Sequence, residues 1–105
     1  MNDVESFVRA MRSYGSAVVV KPRPPADTGF RWIDIRLDGL FSAISWRPGA
    51  GFGFYDEGSP GYGHEVPIRM IVDPVEAAEY QAKALMKDGW PLTRTPVVAG
   101  ALRAQ

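Results

Sequence analysis

Ile33-Asp34-Ile35-Arg36-Leu37-Asp38-Gly39-Leu40-Phe41-Ser42-Ala43-Ile44 is the stretch that decides the fold. Two alternating runs flank Asp38-Gly39, a dipeptide that suits a two-residue type I′ hairpin turn. With that loop length, Leu37 faces Leu40, Ile35 faces Ser42 and Ile33 faces Ile44. Side chains alternate along a strand, so these three pairs share one face, which reads as the core face. Arg36 with Phe41, Asp34 with Ala43, and Trp32 with Ser45 take the other face. Trp32 and Phe41 make that second face less polar than a solvated sheet face should be.

Working back towards the N-terminus, Ala17-Val18-Val19-Val20 lies in a short apolar run from Ser16 to Lys21. Its β-branched, continuously apolar character predicts a central or well-covered strand. Pro22-Arg23-Pro24-Pro25 then removes three ladder donors, and a loop of polyproline character to Gly29 follows. Before it, Val4, Phe7, Val8 and Met11 recur at helical spacing, which predicts an amphipathic helix over 3–14. Asn2 caps it with Glu5 as reciprocal partner, and Gly15 stands where a left-handed C-terminal residue is expected.

On the C-terminal side, Arg47 to Gly51 reads as a turn. Phe52-Gly53-Phe54-Tyr55 reads as a short strand with both phenylalanines on one side. The residues from Glu57 to Glu65 read as a loop, and Val66 to Val72 as a strand with Ile68, Met70 and Val72 on one side. Pro67 places that strand at a sheet edge. Asp73, Pro74 and Glu76 form a clean helix start. Val75, Ala78, Ala82, Leu85 and Met86 form its expected buried stripe, and Gly89 with Pro91 ends it. The predicted architecture is α+β: a mainly antiparallel sheet of four or five strands, with an N-terminal and a C-terminal helix packed on one face. Residues 1–89 form the expected domain, and 90–105 a C-terminal tail, mobile or docked on a partner.

The 105 residues contain no cysteine, which excludes disulfides, thiolate chemistry and cysteine-based metal sites. Twelve basic side chains balance twelve acidic ones. Nucleic-acid binders draw affinity from neutralising phosphates, so a neutral chain argues against direct nucleic-acid contact. No apolar run is long enough to span a bilayer, and the acidic N-terminus is unlike a secretory signal, so a cytoplasmic location without membrane contact is expected.

The segment 49–65 holds glycines at 49, 51, 53, 58, 61 and 63 with four aromatic residues. Its Gly49-x-Gly51-x-Gly53 run leads into a strand and not into a helix N-terminus, so it is no dinucleotide fingerprint. The plain reading is a bulged strand followed by a surface loop. The functional reading is a ligand-binding loop built from Tyr55, Asp56, Glu57, Tyr62, His64 and Glu65. Its three carboxylates, with the single histidine, would suit a divalent metal or acid–base work. No Gly-x-Ser-x-Gly elbow is present, so a serine hydrolase is not expected. Arg31, Arg36 and Arg47 lie on or beside the hairpin, where Arg31 opposite Trp46 suggests a cation–π contact and an anion site is the alternative.

Poor catalytic equipment and the aromatic face together favour a small non-catalytic interaction or regulatory module without a cofactor. The expected partner is a second copy or another protein, held through Trp32, Phe41 and Trp90. For Trp90, just after the second helix, a lid on the core is the structural alternative. The competing expectation is a small-ligand-binding protein or enzyme that uses loop 49–65.

Overall fold

The structure is a computed structural model that describes residues 2–55 and 67–93. The elements in chain order are helix α1 (Asp3–Arg12), strands β1 (Val19–Pro22), β2 (Arg31–Leu37), β3 (Leu40–Arg47), β4 (Gly51–Phe54) and β5 (Arg69–Ile71), and helix α2 (Pro74–Lys87). The sheet runs β1-β2-β3-β4-β5, each strand antiparallel to its neighbour. The fold is therefore the α+β arrangement expected, with five strands.

The hairpin register is the one that the two-residue loop dictates: Leu37 opposite Leu40, Ile35 opposite Ser42, Ile33 opposite Ile44. Ile33, Ile35, Leu37 and Ile44 are buried, while Leu40, beside the turn, is exposed. The turn itself differs from expectation. Only Asp38 has a positive φ, at 53°, whereas a type I′ turn needs one at both central residues. The strained position is thus the aspartate and not the glycine.

Both helices cover the face that carries Ile33, Ile35 and Ile44. Phe7 of α1 stacks on Phe52 of β4 with ring centroids 4.8 Å apart. Phe54 packs at 4.6 Å against Tyr80 of α2. Such ring pairs add about 1 kcal/mol beyond the area they bury. The small side chains of α2 let it pack closely against α1 and the β4–β5 side of the sheet, and its buried set is Ala77, Ala78, Gln81, Ala82 and Leu85. The expected stripe is therefore turned: Val75 is exposed. Gln81 enters the core in its place because its amide donates to Ser42 Oγ at 3.1 Å, which satisfies a buried polar group.

The helix starts match the sequence. Asn2 Oδ1 accepts from the Glu5 amide, and Asp73 Oδ2 accepts from the Glu76 amide, both at 2.8 Å. The end of α1 does not. The helix closes at Ser13, and Gly15 is absent from the positive-φ positions. Gly15 instead leaves room, since a Cβ there would lie 3.2 Å from Leu92 and 3.3 Å from Val18. Gly89, with φ 96°, does end α2 in the expected way.

The first strand is an edge, not the sheet centre that its apolar run predicts. Val18 and Val20 face the core, while Val19 is exposed on the other side. A continuous apolar run suggests two covered faces, but only one is covered. Pro22 is accommodated because, among the described residues, the strand has no neighbour on its far side. Beyond α2, Trp90 is 7% exposed and belongs to the core cluster, with Leu92 packed against it. The Thr93 amide donates to the Tyr14 carbonyl at 2.8 Å. Residues 90–93 are thus part of the packed body. The Tyr14 phenol is raised above its ordinary pKa, first by burial and then by the nearby Glu79 carboxylate, so it stays neutral at physiological pH. No helix among the described residues is long and apolar enough to cross a membrane.

The turn geometry sets an order of tolerance. Asp38→Ala should lower unfolding free energy by about 1 kcal/mol, because an alanine at positive φ lacks aspartate's local hydrogen bonding. A Cβ on Gly39 meets nothing within 4 Å. Gly39→Ala should therefore be neutral or stabilising by up to about 1 kcal/mol. Urea denaturation of both variants checks this; the reverse order would show that the glycine carries the left-handed conformation.

Candidate functional site: the outer sheet face

The pleat that sends Ile33 and Ile35 to the helices sends Trp32, Asp34 and Arg36 to the opposite face. No described element covers that face as a layer. Its side chains fall into rows across the strands. Val19, Arg36 and Phe41 form the first row; Lys21, Asp34 and Ala43 the second. Arg23, Trp32, Ser45, Gly53 and Met70 form the third, the Arg23 amide donating to the Trp32 carbonyl at 2.8 Å. Phe30 and Arg47 stand at the far end. Rows lie two residues apart along the strands, about 7 Å.

Aromatic rings and guanidinium groups are paired along these rows. Arg36 lies over the Phe41 ring, and Arg47 over the Phe30 ring, each 5.3 Å from the centroid. Phe30 meets Trp32 edge-on at 5.4 Å, and Trp32 meets Tyr55 at 5.2 Å. Tyr55 is held in place by a 2.8 Å hydrogen bond between its hydroxyl and Ser45 Oγ. Gly53 makes this possible: a Cβ there would stand 2.6 Å from Ser45 Oγ.

Near the β1 edge, a groove of about 540 Å³ opens on the same face, lined by Lys21, Arg23, Asp34 and Arg36 with Val19 and Pro24. Asp34 is only 6% exposed. Its Oδ2 accepts from Arg23 Nε at 3.0 Å, while its Oδ1 is buried without a hydrogen-bond partner. One carboxylate therefore sits among three cations. Arg31, expected to stack on Trp46, does pair with it in register. Its Nε, however, donates to the Arg23 carbonyl at 2.9 Å and so braces the loop that carries Arg23.

The β5 side of the face is different. Ile68, Met70 and Val72 alternate along the strand as expected, and all three project outward, 62%, 43% and 62% exposed. Arg69, the basic residue of this strand, points the other way and lies over Tyr80.

Of the loop residues singled out from sequence, Tyr55 is half-buried at the edge of the aromatic group. Asp56, Glu57, Tyr62, His64 and Glu65 lie outside the described residues. Among the described residues, no three His, Cys, Asp or Glu side chains meet as a metal site would require. Of the three interface candidates, Phe41 is 49% exposed, Trp32 is half-buried under Phe30 and Tyr55, and Trp90 is in the core. Sequence reasoning passed over Lys21, Arg23 and Phe30. Their common face follows from pairing β1 with β2, a register that no local turn announces.

The support beneath this face can be tested directly. Tyr55→Phe removes one hydrogen bond and should cost about 1 kcal/mol. Gly53→Ala forces a methyl onto Ser45 and should cost about 1–3 kcal/mol by overpacking. Chemical denaturation checks both; Gly53→Ala at wild-type stability would mean that β4 shifts freely.

No protein-family model, no curated protein and no solved structure matches this chain.

Proposed function

We propose that this chain is a non-catalytic interaction module that works through the outer face of its sheet and pairs there with a second copy of itself. The observation that carries this reading is the placement of exposed apolar side chains. Among the described residues seven large hydrophobics are exposed, and five of them, Val19, Phe41, Ile68, Met70 and Val72, project from this one face. A solvated antiparallel sheet face is normally polar, and contiguous apolar surface marks a contact site.

The β5 side is the part suited to self-pairing. Ile68, Met70 and Val72 are themselves uncharged and exposed, with Asp3, Asp73 and Glu76 bordering only the Met70–Val72 end, so a twofold axis placed towards Ile68 brings apolar surface together. Edge-to-edge pairing is less suitable. β1 ends on Pro22, and β5 is three residues long, so each offers few backbone groups to a new strand.

Light scattering on the full chain at micromolar concentration is the test. The wild type should have a dimer's mass, and Ile68→Lys with Met70→Lys should have a monomer's mass with an unchanged far-UV circular dichroism spectrum and a melting temperature that no longer depends on protein concentration. A wild type that is monomeric throughout, or a double variant as dimeric as the wild type, overturns the proposal.

A further inference from the structure

The other half of the outer face, over β1 to β3, carries the opposite chemistry. Four cations project there, one from each successive row: Arg36, Lys21, Arg23 and Arg47. Among the described residues, the one carboxylate set between them is Asp34, buried and bonded to Arg23. Much of the balancing acid lies on the helices and their caps, away from β1–β3. Asp3, Glu5, Asp73, Glu76, Glu79 and Asp88 belong to the helices or their caps, where they outnumber Arg9, Arg12, Lys83 and Lys87. Zero net charge thus conceals a separation of sign: the helical side has an acidic excess and this half of the sheet is basic.

We propose that the β1–β3 half of the outer face binds single-stranded nucleic acid. The inference rests on the reading that the outer face is the interaction surface, and it names the occupant of the half that self-pairing leaves open. Three features support it. The rows that carry the cations recur about every 7 Å along the strands, so Lys21 and Arg23 at the β1 edge are spaced close to the phosphate repeat of an extended single strand, with Arg36 on β2 and Arg47 on β3 beside that line. Beside Arg36 stands Phe41, 49% exposed, and an exposed ring among arginines is the platform on which unpaired bases stack. Two of the guanidinium groups already lie beside rings, Arg36 over Phe41 and Arg47 over Phe30, each within cation–π distance.

An acidic peptide shares the charge requirement but fits less well. Extended peptides commonly join a sheet at an edge by main-chain hydrogen bonds. Here the adjacent edge is β1, which ends on Pro22 and runs on into Pro24 and Pro25.

The test is fluorescence anisotropy of labelled oligo-dT and oligo-rU titrated with the full chain, with a labelled polyglutamate peptide of matched length as the contrasting probe. At about 50 mM salt the oligonucleotides should bind with micromolar Kd, and four phosphate contacts predict a loss of about 50-fold between about 50 and 200 mM salt. Phe41→Ala should weaken binding about tenfold, the cost of one lost stacking platform. Arg36→Gln with Lys21→Gln should both weaken binding and flatten the salt dependence. These exposed substitutions leave the core intact, which circular dichroism checks. No oligonucleotide binding up to about 100 μM, the range of ordinary non-specific binding, or equal binding of the polyglutamate peptide, overturns the nucleic-acid assignment alone, provided that dimerisation remains sensitive to the β5 substitutions. Binding that ignores all three β1–β3 substitutions places the ligand on another surface and overturns the assignment together with the outer-face reading of this half.

Discussion

The two-residue loop at Asp38-Gly39 locks Leu37 opposite Leu40, and the pleat propagates that choice through the sheet. A slip of β2 by one residue would turn Ile33, Ile35 and Leu37 towards solvent and Trp32, Asp34 and Arg36 towards the helices. The alternatives are far apart in energy, because three buried aliphatic side chains would be exchanged for a tryptophan and two charges. Every later assignment inherits this parity. β4 must send Phe52 and Phe54 inward to meet Phe7 and Tyr80, and β1 must send Lys21 outward beside Asp34. The division between a helix-covered core and an open face is therefore one constraint seen from two sides.

The parts of the fold legible in the chain are those with local causes. The hairpin register follows from loop length, and the helix starts follow from Asn2 and Asp73 with their glutamates three residues on. What escaped reading has long-range causes. The strand over Val19 looks central because both parities are apolar, yet nothing in that segment tells which side a neighbour will cover. The stripe of α2 is turned because Gln81 looks polar until Ser42, thirty-nine positions away, accepts from it. The use of Gly15 is likewise set at a distance, since Leu92 and Val18 leave little room for a side chain there, and neither is visible in the helix itself.

The site shows the same split. Trp32, Phe41 and Tyr55 are legible as a group because strand parity puts them on one face. Their cationic companions are not, since Lys21 closes a run that is apolar on both parities and Arg23 sits in a proline-rich segment that looks like a plain loop. Composition misleads here in a specific way: net charge sums over the whole surface, whereas recognition depends on how sign is distributed. In this protein the amphipathic helices carry an excess of acids and the open half of the sheet an excess of bases. A balanced total is the sum of unbalanced sides.

The order of the strands has a further consequence, for how the chain folds. Each strand pairs with the next one in sequence, so the described hairpins close through short loops at small entropic cost. Helix α1 is the exception. It stacks through Phe7 on Phe52 and lies against α2, so its main partners are distant in sequence. The meander is able to form strand by strand, but its inner face stays wet until the two ends of the chain meet over it. Cooperativity in this domain thus resides in the closing of the helical layer, the single non-local step in an otherwise sequential assembly.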